Sequence, residues 1–206
     1  MVEANDMGFD EAKASMLHED IEFVLRTVEE RDVHFIQFWF TDTLGNLKSF
    51  AATSGELDDA LEEGLGFDGS SVAGFSPVEE LDCVAVPDPS TFQILPWRPQ
   101  EKGAARMFCD IKTPTGEPFE GDTRAVLRRV CDEAYDRGMV CSLSPAIEHF
   151  YFKDSKGVEP LDCGGYFDNM PLDSGNDLRR ESVLMLERMG IPVEYSHHEN
   201  APSQHE

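Results

Sequence analysis

The segment from Val33 to Thr53, VHFIQFWFTDTLGNLKSFAAT, constrains the fold more than any other stretch of the chain. Two runs rich in β-branched and aromatic residues flank the turn-forming DTLGN, a pattern that predicts an antiparallel hairpin. SGELDDALEEG follows, and it predicts a short helix with Ser54 as its cap, a Glu in the first turn and Gly64 as its stop. Further strand-like runs come at DCVAVP, TFQILPW and ARMFCDI, each bounded by Pro or Gly. Upstream, from about Asp10 to Arg31, Met16, Leu17, Ile21, Val24, Leu25 and Val28 recur at the spacing of an amphipathic helix. Hairpin, helix, then more strands give an α+β layout with one helix laid on a mixed sheet.

A second region opens at the turn-rich TPTGEPFEGD. DTRAVLRRVCDEAYDRG reads as a helix with Asp122 or Thr123 as cap and Gly138 as stop, and MVCSLSPAIEHFYF as a strand. GGYFDNMP reads as a loop and DSGNDLRRESVLMLERMG as a second capped helix that ends on Gly. A last strand carries VEYSHHENAPSQHE, so that helix, strand, helix, strand resembles the opening of an α/β unit. The expected divisions are an N-terminal helix over 1–30, a first domain over 31–116 and a second region over 123–206.

Charge limits the partners. Forty-one acidic residues against seventeen basic ones give a net charge of -24, which repels nucleic acid and anionic membranes. The acidic residues are spread along the chain, as on a solvated surface of the kind salt-adapted proteins use, and a halophilic source is expected. No apolar run nears the ~18–20 residues of a membrane span. The acidic start MVEANDMGFDEAKASMLHED lacks the features of a signal peptide, so a cytoplasmic location is expected. Five widely spaced cysteines without a C-x-x-C pair argue for reduced thiols, each read as a small buried hydrophobe.

Three stretches hold candidate chemistry. In VEYSHHENAPSQHE, Glu199 and Glu206 lie an odd number of residues apart, so a straight strand would turn them to opposite faces. The intervening NAPS predicts a bend that lets both face one site, where carboxylates suit Mg2+ or Mn2+. The histidines lack the H-E-x-x-H spacing of a zinc site and read as scaffold. In SPAIEHFYF, Glu148 is an acidic residue within an apolar strand pattern, costly unless paired or metal-bound. GFDGSSVAGF carries Asp68 but lacks the Lys of a phosphate-binding P-loop, and by itself it reads as a flexible surface loop.

In this order, FTDTLGNLK, FDGSSVAGF, PDPSTFQILPW, FCDIKTPTGEPFEGD, GGYFD and VEYSHHENAPSQHE resemble glutamine synthetase of the bacterial and archaeal type, and the charge adds the expectation of a halophilic archaeon. The resemblance runs from about Ile21 to Glu206 and covers a little under the first half of the family's length. It implies an N-terminal β-grasp domain followed by the truncated start of the α/β catalytic domain. It also implies ligation of ammonium to L-glutamate at the expense of ATP, through γ-glutamyl phosphate, with two divalent ions. By resemblance, Glu148, Glu199 and Glu206 are ligands of the first ion, Glu148 and Glu199 lie at the substrate, and Glu194 contacts ATP. Asp68, with Ser71 beside it, would bind ammonium and take its proton at a neighbouring subunit's site, and twelve-membered rings are implied.

Two departures stand out. The family's Glu-Pro-Glu becomes Ala146, Ile147 and Glu148 here, which removes a carboxylate of the second ion. His149, next along, should point away from that position. The family's later ligands and arginines have no counterpart in these 206 residues, so the polypeptide alone is expected to be inactive. Alternatives are a paralogue that joins glutamate to polyamines or other amines, and a non-catalytic interaction module.

Overall fold

The computed structural model describes residues 3–72, 74–75, 81–97 and 102–206, and side chains from residue 14 onward. Residues 1–2 of the expected N-terminal helix and Ala73 of the Gly/Ser-rich loop lie outside the described residues. The chain divides into two compact units, Met1–Cys141 and Ser142–Glu206.

In the first unit the order is α1 (Glu3–Glu30), β1 (Val33–Thr41), β2 (Leu47–Thr53), α2 (Leu57–Glu63), β3 (Leu65–Asp68), β4 (Asp82–Pro87), β5 (Gln93–Ile94), β6 (Gly103–Lys112) and α3 (Thr123–Asp136). The sheet runs β2-β1-β6-β4-β3, with β5 paired beside β6. β1 and β6 are parallel and the other pairs antiparallel. The hairpin forms where DTLGN predicts it, because Asp42 accepts from the Leu44 and Asn46 amides while Gly45 takes φ +84°.

The core is one face of this sheet under α1 and α2. Val24 and Val28 from α1, and Leu57 and Ala60 from α2, are buried with Ile36, Phe38, Phe40, Met107 and Ile111. A register irregularity against β6 between Val33 and Phe35 lets both Val33 and Ile36 reach the core, although strict alternation would oppose them. On the other face the Arg106 guanidinium lies 4.7 Å from the Phe108 ring and 5.5 Å from the Trp39 ring.

Several expectations need correction. Ser54 does not cap α2: Ser54–Glu56 form a 3-10 turn that feeds the helix, and Thr53 at its start makes no side-chain cap. Gly64 does end the helix, at φ +76°, where a Cβ would fall 2.7 Å from Val84 Cγ1. The loop reading of GFDGSSVAGF fails at its start, because Gly66–Asp68 pair with β4 as part of an edge strand. TFQILPW yields only the two residues of β5. Cys83 and Cys109 are buried, and burial pushes the Cys109 thiol up to about 12, but Cys131, Cys141 and Cys163 are exposed. All five are free thiols.

α3 is tied to the sheet by its cap. The Asp122 carboxylate, 2% exposed, accepts from the Arg124 and Ala125 amides of the first turn and also from the Ile111 amide of β6. Arg124 and Arg128 add ion pairs to Asp88 and Asp110.

The second unit holds β7 (His149–Phe150), α4 (Asn176–Arg188) and β8 (Gln204–His205). The strand expected over MVCSLSPAIEHFYF shrinks to β7, since His149 and Phe150 pair with β8 and Phe152 adds a single bridge to Pro160. α4 lacks a side-chain cap: its N-cap is Gly175, where a Cβ would stand 2.6 Å from His205 Cε1, so packing there outweighs capping.

Polar groups organise this unit. Asp162, 3% exposed, accepts from His198 Nε2 at 2.9 Å, Ser174 N at 2.9 Å and Ser203 N at 3.0 Å. Burial alone would raise its pKa, but these donors carry it down to about 2. Both ring nitrogens of buried His198 face acceptors, Nδ1 the Glu199 carbonyl at 2.7 Å and Nε2 Asp162, so the ring is an imidazolium. Burial opposes that charge, yet Asp162 and the carbonyl outweigh it and hold the pKa above its ordinary value. From α4, Arg179 makes a two-pronged contact with Asp173 and donates to His205 Nδ1 at 2.7 Å. His205 is therefore neutral; burial, then the nearby cations His198 and Arg179, lower its pKa.

Two measurements test these anchors. Asp122→Ala removes the cap and orphans the Ile111 amide, so urea unfolding should show a loss of about 2–4 kcal/mol in the first unit. Asp162→Asn leaves the His198 imidazolium unpaired, and amide exchange in the second unit should report about 3–5 kcal/mol lost. Because Asp162 titrates below its unfolded value, its contribution is present above pH ~4 and disappears as pH falls through about 2. The Asn variant should lack this acid-dependent loss.

Candidate metal centre

The segment His197–Glu206 is folded on itself, not bent gently. His197 and Glu206 exchange both backbone hydrogen bonds at 3.0 Å, and the Glu199 amide donates to the Gln204 carbonyl at 2.7 Å. The reversal runs through Asn200–Ser203, and Ser203 adopts φ +58°, a conformation L-residues rarely take. Its amide and hydroxyl both donate to Asp162 Oδ1, which offsets that cost.

Antiparallel pairing then sorts the side chains. Residues directly opposite share a face, as do residues two apart on one strand. His197, Glu199, Gln204 and Glu206 thus lie on one face, and His198 and His205 lie on the other, in the buried network. The pairing of His149 with His205 and Phe150 with Gln204, continued by one residue, sets Glu148 beside Glu206 on the acidic face. Glu148 is exposed and accepts from Gln204 Nε2 at 2.6 Å. His149 turns the other way, its ring 4.8 Å from that of Tyr151.

Ligand atoms of His197, Glu199 and Glu206 all lie within 4.8 Å of one another. His197 Nδ1 is 3.5 Å from Glu199 Oε1, and Nε2 is 3.6 Å from Glu206 Oε2. Glu199 is 8% exposed, and Asn200 supplies hydrogen bonds to its Oε2 alone, so the carboxylate is short of a cation. This donor set fits a divalent ion. A second convergent group, Asp162, His198 and His205, does not. Both nitrogens of His198 carry protons, and His205 Nδ1 accepts from Arg179, which leaves the proton on Nε2. Neither ring has a lone pair to offer, and His205 Nε2 remains buried without a hydrogen-bond partner, 4.0 Å from Asp162 Oδ2.

Of the residues singled out in the sequence, Glu148, Glu199 and Glu206 thus share a face, though Glu148 stands outside the tight cluster. Glu194 is exposed in an irregular segment of the same unit. Asp68 and Ser71 belong to the first unit, where Asp68 accepts from the Ser70 amide at 2.9 Å and starts a 3-10 turn. The hydrogen bonds from Ser70 hold its carboxyl below the usual range. Sequence reasoning missed His197, which was grouped with its neighbours as scaffold. The alternation that separates His197 from His198 was available as a signal, but its origin depends on where the chain folds back.

Comparison with known proteins agrees with this architecture. The profile described as "Glutamine synthetase, beta-Grasp domain" matches residues 32–114, and "Glutamine synthetase, catalytic domain" matches residues 120–206. The glutamine synthetase of Mycolicibacterium smegmatis is 53% identical over 191 residues, covering 90% of this chain and 43% of that protein. That of Methanosarcina mazei is 50% identical over 189 residues, covering 90% of this chain and 42% of that protein. The chain therefore spans less than half the length of these relatives. Among solved structures, a GmaS/ADP complex superposes with TM-score 0.71 at 23% identity, over 88% of this chain and 42% of that one. Plasmodium falciparum glutamine synthetase gives TM-score 0.71 at 21% identity, over 90% of this chain and 43% of that one. At such identities these two speak for the fold alone. With a β-grasp domain followed by the start of the catalytic domain, this chain belongs to the glutamine synthetase family.

Proposed function

We propose that this chain forms part of an ATP-dependent ligase that joins ammonium to L-glutamate to give L-glutamine. The observation that carries the reading is the convergence of Glu199 and Glu206 on one hairpin face, with Glu148 at the adjoining register position. Transfer of a γ-phosphoryl group to a carboxylate brings two anions together, and a divalent ion, Mg2+ or Mn2+, held by Glu148, Glu199 and Glu206 would supply neutralisation and alignment. Glu194 would contact ATP, and Glu148 and Glu199 would border the glutamate. Asp68 keeps a low carboxyl pKa through its Ser70 hydrogen bonds, so it is ionised near neutrality, suited to attract ammonium and accept its proton with Ser71 beside it. The assembly would be a homo-oligomer, twelve-membered as the family resemblance implies, at work in the cytoplasm. None of the helices among the described residues is long and apolar enough to cross a membrane.

Activity is tested by ADP release that requires glutamate and ammonium together. In the protein that carries this chain, Glu199→Gln or Glu206→Gln should lower it by at least ~100-fold, since loss of a ligand exceeds the effect of losing a group behind one. The 206-residue polypeptide alone should show only background. Turnover by it that Glu199→Ala abolishes would contradict this, and equal rates with a polyamine would favour the amine-ligase reading.

The charge of -24 is read as salt adaptation. Far-UV circular dichroism should lose its folded signal as KCl falls from about 2 M to about 0.1 M, where repulsion is least screened. A signal unchanged over that range would remove the halophilic reading.

A further inference from the structure

We infer that His197 gives an imidazole nitrogen directly to the divalent ion held by Glu199 and Glu206, and that this nitrogen biases the site toward Mn2+ over Mg2+. The inference rests on the metal reading proposed above and extends it to a residue outside the carboxylate set.

Hydrogen bonding fixes which nitrogen is available. His197 Nδ1 lies 3.2 Å from the His198 carbonyl, to which it donates its proton. That leaves Nε2 as the nitrogen turned toward Glu206, the arrangement typical of metal-binding histidines, which pass their other N–H to a backbone carbonyl or carboxylate and offer the second nitrogen to the ion. Nε2 stands 3.6 Å from Glu206 Oε2, too far for a hydrogen bond. Two ligands each about 2.0–2.2 Å from one ion sit roughly 3–3.6 Å apart, so the gap has the width an ion would need. Glu199 turns Oε2 to the Asn200 amide and side chain, both at 3.1 Å, and leaves Oε1 3.5 Å from His197 Nδ1, with ligand atoms of all three residues within 4.8 Å of one another.

The ring is also held in orientation. Tyr166 and Phe167 stack on each other and meet the His197 ring edge-on, with centroids 5.5 and 4.8 Å away. Backbone pairing with Glu206 fixes its Cα, and the carbonyl of His198 fixes its plane. A preorganised donor of this kind loses little freedom when an ion arrives. The same ring borders a cavity of about 330 Å³ lined also by Tyr166, Phe167, Tyr195 and Ser196. Nitrogen ligation favours a transition-metal ion, whereas Mg2+ prefers oxygen throughout.

The experiment is a Mn2+ titration of the full chain followed by electron paramagnetic resonance, with pulsed measurement of nuclear modulation. Wild-type protein should bind Mn2+ and show 14N modulation that changes when histidine is labelled with 15N. His197→Gln should bind Mn2+ on the order of tenfold more weakly, lose the modulation and keep its Mg2+ affinity within about twofold in competition. Mn2+ bound without histidine modulation, or modulation that survives in His197→Gln, overturns the role of His197 and leaves the carboxylate reading intact. Wild-type protein that binds no Mn2+, or Glu199→Gln that binds it equally well, removes the carboxylate reading itself. Should the Gln variant fail to fold, the isotope effect in wild-type protein decides alone.

Discussion

The ion pair between Asp162 and the His198 imidazolium is the contact on which the second unit depends. One carboxylate receives the ring proton of His198, the amide and hydroxyl of Ser203 and the amide of Ser174, and thereby joins three stretches far apart in sequence. Its grip on Ser203 makes the left-handed turn tolerable. Its grip on His198 anchors the segment that precedes the turn. Without both, the antiparallel register of His197 with Glu206 would rest on a few backbone hydrogen bonds and the short β7–β8 pairing, and such short pairs are marginal in water.

From that register the division of labour among three histidines and two glutamates follows by alternation. His198 and His205 enter a buried network with Arg179 and Asp173, where every charge has an opposite charge nearby. His197, Glu199 and Glu206 remain on the other face, where two carboxylates meet one imidazole and no Lys or Arg among the described residues forms an ion pair with them. The two faces need each other. The buried one supplies rigidity, and the acidic one holds donors at a spacing that an ion can bridge.

The first unit obeys different physics. Its sheet is held by apolar burial under α1 and α2, with the Asp122 cap as the polar tie that locks α3 to β6. Membership of the glutamine synthetase family accounts for both units in one chain, which spans less than half the length of each of these relatives.

Local chemistry made much of this legible. DTLGN contains the residues its turn requires, Gly64 and Gly138 end helices where a left-handed residue is needed, and Asp122 caps α3, because each depends on neighbours a few positions away. The approach of Glu199 to Glu206 was readable from the turn-forming NAPS between them. Asp162, Arg179 and the separate fates of His197 and His198 were not, because several of their partners, Ser203 and His198 for Asp162 and His205 for Arg179, lie 26 to 41 residues distant and burial decides which polar groups must pair. The strand expected before Glu148 likewise failed, since a strand exists only with a ladder partner. Sequence by itself determined the hairpin turn, the Asp122 cap and the carboxylate pair; the tertiary structure decided which histidine faces that pair, because the side of a hairpin a residue occupies is set by register, and a distant carboxylate anchors that register here.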